Sequence, residues 1–280
     1  MIPLSNDKGK VVRTRLYGRP SSSTVTFLLS GVLARGDEQF EPVRKLFPGT
    51  VWAYHTEGRD FPSGALIHYV AKGMAVAAKA DKKLVLVGAS MGGMLVPFIV
   101  AEFRDMVPDF DMKRLRVILV DAPNGLDGIA DPLAHRVLRH GALAVPAAGA
   151  LSLIGTKVPV GDDMMPARDE VTSGDYDDLV AKAKQGLSGH YLSMLARQTR
   201  WMIEAGRGPI EQAVKSLDGA KVVYVVCDTA KSPVVQPDSA KWWVNNLPQK
   251  PKVLAVKATH CGFRQNYDRY EECFAAALAA

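Results

Sequence analysis

The chain has 280 residues, 48% of them hydrophobic, and a formal net charge of +6 without a long basic run. That length and apolar content predict a large core, best read as one α/β domain carrying an insertion, and the scattered charge does not indicate a nucleic-acid partner. Residues 1–19 lack an apolar core of signal-peptide length and no window reaches the roughly 18 apolar residues of a membrane span, so a soluble, cytoplasmic protein with no stable membrane insertion is expected. Cys227, Cys261 and Cys273 are an odd set without metal-ligand spacing, which argues for a reducing compartment and against a structural zinc.

Val11 to Arg19 and Thr24 to Gly31 read as opening strands, split by the turn cluster Pro20-Ser21-Ser22-Ser23. The loop from Ser30 to Gly36 follows, and Asp37 is placed to cap a helix running to about Leu46. Thr50 to Tyr54 is the next strand. Ala65 to Ala80 shows helical periodicity through Leu66, Tyr69, Val70, Met74 and Ala77, and leads into a strand from Leu84 to Val87. After the helix that follows, Leu115 to Val120 forms another apolar strand ending at Asp121. Alternating strands and helices of this kind predict a parallel sheet with right-handed crossovers. The alternation then stops. Residues 127–219 carry helical patterns only (Leu133 to His140, Ala142 to Ile154, Tyr176 to Gln185, Tyr191 to Ala205) with Gly-, Pro- and Asp-rich loops between them. Strands resume at Lys221 to Cys227 and Lys252 to Lys257, each followed by a helix; Asp238 reads as the N-cap of the first of these.

The run Leu84-Val85-Leu86-Val87-Gly88-Ala89-Ser90-Met91-Gly92-Gly93 has strand, tight turn and helix in succession. Ser90 sits on the turn in the spacing G-x-S-x-G, with Gly88 and Gly92 relieving the crowding of a strained backbone. This lifts a serine to the N-terminus of a helix, where N–H groups and the helix dipole favour negative charge. A serine hydroxyl needs a base to become a nucleophile. Of the six histidines, His260 alone directly follows a late strand, whereas His68 falls on a sheet-covering helix and His135, His140 and His190 fall in the helical insertion. His55 and Asp60 match an H-x4-D acyltransferase spacing, but that motif gives Ser90 no role and the match is taken as chance.

With these residues in view, the chain resembles the serine α/β-hydrolase superfamily, of esterase and lipase type with a helical cap. The resemblance implies an α/β-hydrolase fold, with a mostly parallel central sheet flanked by helices: residues 1–126 and 220–280 form the core and residues 127–219 the inserted cap. The family's chain order of serine, acid, histidine fits Ser90 and His260 as catalytic residues. Two aspartates compete for the acid. Asp228 directly follows a strand and precedes His260 by 32 residues; the family usually places its acid a few residues later, where this chain has Ser232-Pro233-Val234-Val235. Asp121 also ends a strand, and a minority of the family uses that position. The oxyanion hole is expected from the N–H of Met91 and that of Val32, with Leu33 as the fallback donor, in a loop where Ser30-Gly31 replaces the family's usual His-Gly. No cofactor is implied.

The activity implied is cleavage of a small or medium apolar carboxylic ester or thioester through an acyl-enzyme, the apolar preference resting on the Ala, Leu, Val and Met content of the cap. The same scaffold also hosts C–C hydrolases, haloperoxidase-like enzymes and acyltransferases, and a non-catalytic ligand-binding member would keep the serine turn without a competent acid.

Overall fold

A computed structural model describes residues 10–31, 34–57, 61–125, 128, 189–206, 208–227, 235–258, 260–264 and 266–280. Seven strands, β1 (Lys10–Tyr17), β2 (Thr24–Leu29), β3 (Thr50–Glu57), β4 (Lys83–Ala89), β5 (Leu115–Val120), β6 (Lys221–Cys227) and β7 (Lys252–Val256), form one sheet in the order β1-β3-β2-β4-β5-β6-β7. Every neighbouring pair is parallel except β1 with β3, which is antiparallel. The helices among the described residues are α1 (Gly36–Phe40), α2 (Ser63–Lys79), α3 (Met91–Met106), α4 (Gly189–Gly206), α5 (Pro209–Ala213), α6 (Pro237–Asn246) and α7 (Tyr267–Ala279).

Strand residues point alternately to the two faces, and both faces are covered, which is why the central strands are continuous apolar runs. Leu84, Leu86, Leu115, Val117, Leu119 and Tyr224 pack toward α2, α3 and α6 in one cluster. Val85, Val87, Ile118, Val120, Val223 and Val225 pack on the opposite face, against Phe40, Phe47, Phe263, Tyr270 and Phe274. β5 and β6 run over the residues that their apolar content marks out. Two local expectations fail. The helix expected to run from Asp37 to Leu46 ends at Phe40, because Pro42 has no N–H to continue it, and Asp37 lies in the first turn, paired with Arg35. Asp238 likewise lies inside α6, whose N-cap is Gln236 with Pro237 next.

Of the insertion, the helix expected over Tyr191 to Ala205 is α4; the other three expected helices lie outside the described residues. Residues after α4 are fastened to the core. Ser216 Oγ donates to the Pro97 carbonyl at 2.8 Å, Arg104 donates to the Ser216 carbonyl at 3.0 Å, and Ile210, Val214 and Leu217 are buried in the same cluster as α3. No helix among the described residues is long and apolar enough to cross a membrane.

Candidate active site

In a parallel sheet the carboxyl ends of the strands share one edge, and a crevice opens there where the chain order reverses direction. Here the reversal falls at β2, which has β3 on one side and β4 on the other. Ser90 follows β4, Ser30 and Gly31 follow β2, and a Cβ added at Gly31 would lie 3.1 Å from Ser90 Cβ, so the two loops are in contact.

Ser90 has φ 53° and ψ −126°, a conformation that L residues avoid. It is held there from both sides: its N–H donates to the Val120 carbonyl at 2.8 Å, and its carbonyl accepts from the Gly93 N–H at 2.8 Å as α3 begins. The flanking glycines are needed for space. A Cβ at Gly92 would run into the carbonyls of Leu29 and Ser30, the latter at 2.7 Å, and one at Gly88 would meet the Gly92 carbonyl at 2.6 Å. Backbone atoms cannot rotate aside as a side chain can. Gly92→Ala is therefore expected to destabilise the fold by about 1–3 kcal/mol, read as a lower urea midpoint at unchanged slope; an unmoved midpoint would show that the β2 loop yields freely.

Asp121 and His260 meet at the same edge. The Asp121 Oδ2 to His260 Nδ1 distance is 2.5 Å, and both side chains are largely buried. The aspartate is fixed by its surroundings. Its φ is 46°, its N–H donates to the Val225 carbonyl at 2.7 Å, and its Oδ1 lies 3.4 Å from the Cys227 N–H. The next carbonyl, that of Ala122, accepts from Tyr224 Oη at 2.7 Å and from Trp243 Nε1 at 2.8 Å. Sequence reasoning did not single out Tyr224 or Trp243; a lone tyrosine within the valine run of β6 was the available signal. Asp228, the other aspartate considered, lies outside the described residues, as do Ser232 to Val234.

The second ring nitrogen, His260 Nε2, has Cys261 Sγ 3.9 Å away. Cys261 has φ 53°, so three of the described non-glycine residues with positive φ, Ser90, Asp121 and Cys261, border this site. Burial pushes the Cys261 thiol well above its ordinary pKa, with Cys227 and then Asp121 adding to the effect. Burial also raises Cys227, and Cys273 to about 11. The shifts reinforce the protonated state that thiols already favour at neutral pH, and a protonated thiol is a poor nucleophile. Among the described residues Ser90 Oγ makes no hydrogen bond.

Met91 is the first residue of α3, a position whose N–H has no partner within its own helix. Val32 and Leu33 lie outside the described residues, and the Gly31 N–H is already taken by Gln39 Oε1 at 3.1 Å. Beside Met91 a cavity is lined by Leu29, Phe61, Leu66 and Leu95, with Ser30, Tyr54, His55, Thr56 and Gln198 among its polar members. Trp201 of α4 packs edge-on against Phe61 and Phe98, at centroid distances of 5.8 and 5.9 Å, and so seats the helix that carries Gln198. The strand expected to end at Tyr54 continues through His55 to Glu57, and Asp60 lies outside the described residues. Among the described residues no His, Cys, Asp and Glu cluster could hold a metal ion.

No curated protein matches the chain in sequence. Several solved structures share its fold. MenH from S. aureus is 14% identical and superposes with a TM-score of 0.63 over 95% of this chain and 97% of its own. The enol-lactonase from Burkholderia xenovorans LB400 is 17% identical, with a TM-score of 0.59 over 97% of each chain. The esterase RhEst1 from Rhodococcus sp. ECU1013 is 13% identical, with a TM-score of 0.60 over 96% of this chain and 94% of its own. A family model described as the alpha/beta hydrolase family matches residues 23–273. The strand order, the serine on its strained turn and this match agree, and the chain belongs to the alpha/beta hydrolase family.

Proposed function

We propose that the protein is a serine hydrolase that cleaves a small or medium carboxylic ester or thioester through an acyl-enzyme, with Ser90, His260 and Asp121 as its catalytic residues. The observation that carries this reading is the 2.5 Å contact of Asp121 with His260 at the sheet edge where Ser90 stands on its strained turn. A carboxylate at Nδ1 holds the proton there and leaves Nε2 free to act as base. Ser90 Oγ attacks the acyl carbon while His260 Nε2 takes the hydroxyl proton, and the charge that develops on the carbonyl oxygen is met by the Met91 N–H and a second donor from residues 32–33. Collapse of the tetrahedral intermediate expels the alcohol or thiol, which takes the proton from His260. Water, deprotonated by the same nitrogen, then releases the acid and restores Ser90. Residues 127–219, as a cap over this edge, would set the substrate's shape.

Two of the similar structures, an enol-lactonase and an esterase, are named for ester-type chemistry, which accords with this choice. A non-catalytic binding protein is the competing reading, and the lack of a hydrogen bond on Ser90 Oγ among the described residues favours it. Catalytic contacts are often long in free enzymes and tighten on binding.

A fluorophosphonate probe separates the two. One probe per chain, on Ser90 by peptide mapping, is the expected result, and labelling should survive prior treatment with iodoacetamide at pH 7.5, because the raised pKa values leave the native thiols alkylated far more slowly than those of the urea-unfolded chain. Absence of labelling supports the binding protein. Labelling abolished by iodoacetamide would transfer the nucleophile's role to Cys261.

A further inference from the structure

At the edge of the sheet far from β7, one face gathers cations around exposed apolar side chains. β1 has β3 as its single neighbour, and Arg13 and Arg15 stand in register with Tyr54 and Trp52. Residues two apart on a strand share a face. The Arg13 guanidinium lies 4.4 Å from the Trp52 ring centroid and 6.0 Å from that of Tyr69, which brings α2 alongside β1 on that face. Tyr69, Lys72, Val76 and Lys79 follow one another along α2 at steps of three or four residues and so form one stripe. The stripe faces solvent. Tyr69 is 44% exposed, Val76 is 65% exposed and both lysines are exposed, while Leu66, Val70, Met74 and Ala77 on the other side of the helix are buried.

No carboxylate balances these charges from within the two elements, since neither β1 nor α2 contains an acidic residue. The acids at their borders are engaged elsewhere: Glu57 lies 3.8 Å from Arg35, Asp81 2.7 Å from Arg114 and Glu102 2.5 Å from His68. Among the described residues Arg13, Arg15, Lys72 and Lys79 enter no ion pair. A second copy of the chain that met this face with its own would bring the same cations and be repelled. A nucleic acid would use open ring faces for stacking, but Arg13 already covers Trp52, and Val76 has no role against phosphates. Cations that flank an exposed valine and tyrosine match a lipid surface, where basic side chains meet anionic headgroups and small apolar groups enter the boundary beneath them. We propose that this face of β1 and α2 is a docking surface for membranes rich in anionic phospholipid, held by reversible peripheral contact. The docking does not depend on the chemistry of Ser90.

The test is flotation of the full chain with phosphatidylcholine vesicles, with and without phosphatidylglycerol as about a third of the lipid. Binding is expected on the anionic vesicles alone, and it should weaken as salt rises. The double variant Arg15→Gln with Lys72→Gln removes two cations and leaves Arg13 on Trp52; its partition coefficient should fall about 30-fold, at roughly fivefold per cation. Lys113→Gln with Lys250→Gln removes the same charge from exposed positions ahead of β5 and β7, outside this face, and should cost about threefold at most. Val76→Ser should lower vesicle partition by about threefold while leaving retention on heparin unchanged. Urea midpoints equal to the parent's in each variant show that a lost signal reports docking and not folding. No binding to anionic vesicles, equal binding to neutral ones, or equal losses in the two double variants overturns the proposal. Retention on heparin together with unchanged vesicle partition in Val76→Ser would make the face a general polyanion surface, and the assignment to lipid would fall.

Discussion

Ser90→Ala and His260→Ala are each expected to lower kcat/KM for any p-nitrophenyl ester that the parent cleaves by about 10⁵ to 10⁶, with the double variant little worse than either. The reason is that neither residue works alone. Without His260 Nε2 the Ser90 proton has no acceptor, and without Oγ the base has nothing to activate. Both substitutions only remove atoms at a partly open site, so unfolding midpoints should stay close to the parent's. Fluorophosphonate labelling must vanish in Ser90→Ala. Either variant retaining activity within tenfold of the parent after purification would remove that residue from the mechanism.

Asp121→Asn is expected to cost about 10⁴ in kcat. The loss comes through the tautomer. Asp121 Oδ1 faces the Cys227 N–H and Oδ2 faces His260 Nδ1. An asparagine that keeps its oxygen on Cys227 turns its NH₂ toward His260, so Nδ1 must accept and the ring proton moves to Nε2. A protonated Nε2 cannot take the proton of Ser90. Asp228→Asn, at the aspartate that directly follows β6, should cost far less. The reverse ranking, with Asp228→Asn the crippled variant, would make Asp228 the acid and the Asp121 contact a structural one. Removing Tyr224 Oη or Trp243 Nε1 from the Ala122 carbonyl should act in the same direction as Asp121→Asn but more weakly, since each holds the aspartate's backbone and not its charge.

Much of the fold was legible because both faces of this sheet are covered. A strand buried on both sides is apolar over most of its length, and the apolar runs within Leu115 to Val120 and Lys221 to Cys227 end where those strands end. The serine turn was legible for a similar reason. Its geometry demands glycine at two named places, since the Leu29 and Ser30 carbonyls on one side and the Gly92 carbonyl on the other leave no room for a Cβ. Such constraints act over a few residues and are written locally. Helix ends were read less well: Pro42 stops α1 after Phe40, and α1 and α6 begin before the aspartates that resembled caps, with Arg35 and Gln236 as N-caps.

The acid was a different kind of question. Asp121 and Asp228 each directly follow a strand of the same sheet, and nothing within a few residues of either says which one an imidazole will meet. The Asp121–His260 contact spans 139 residues, made when β5 brings Asp121 to the edge and the chain after β7 returns His260 to it. Composition and spacing determine which elements form, since those depend on neighbours in sequence. Which polar atoms end up paired depends on groups that meet only after the sheet has assembled.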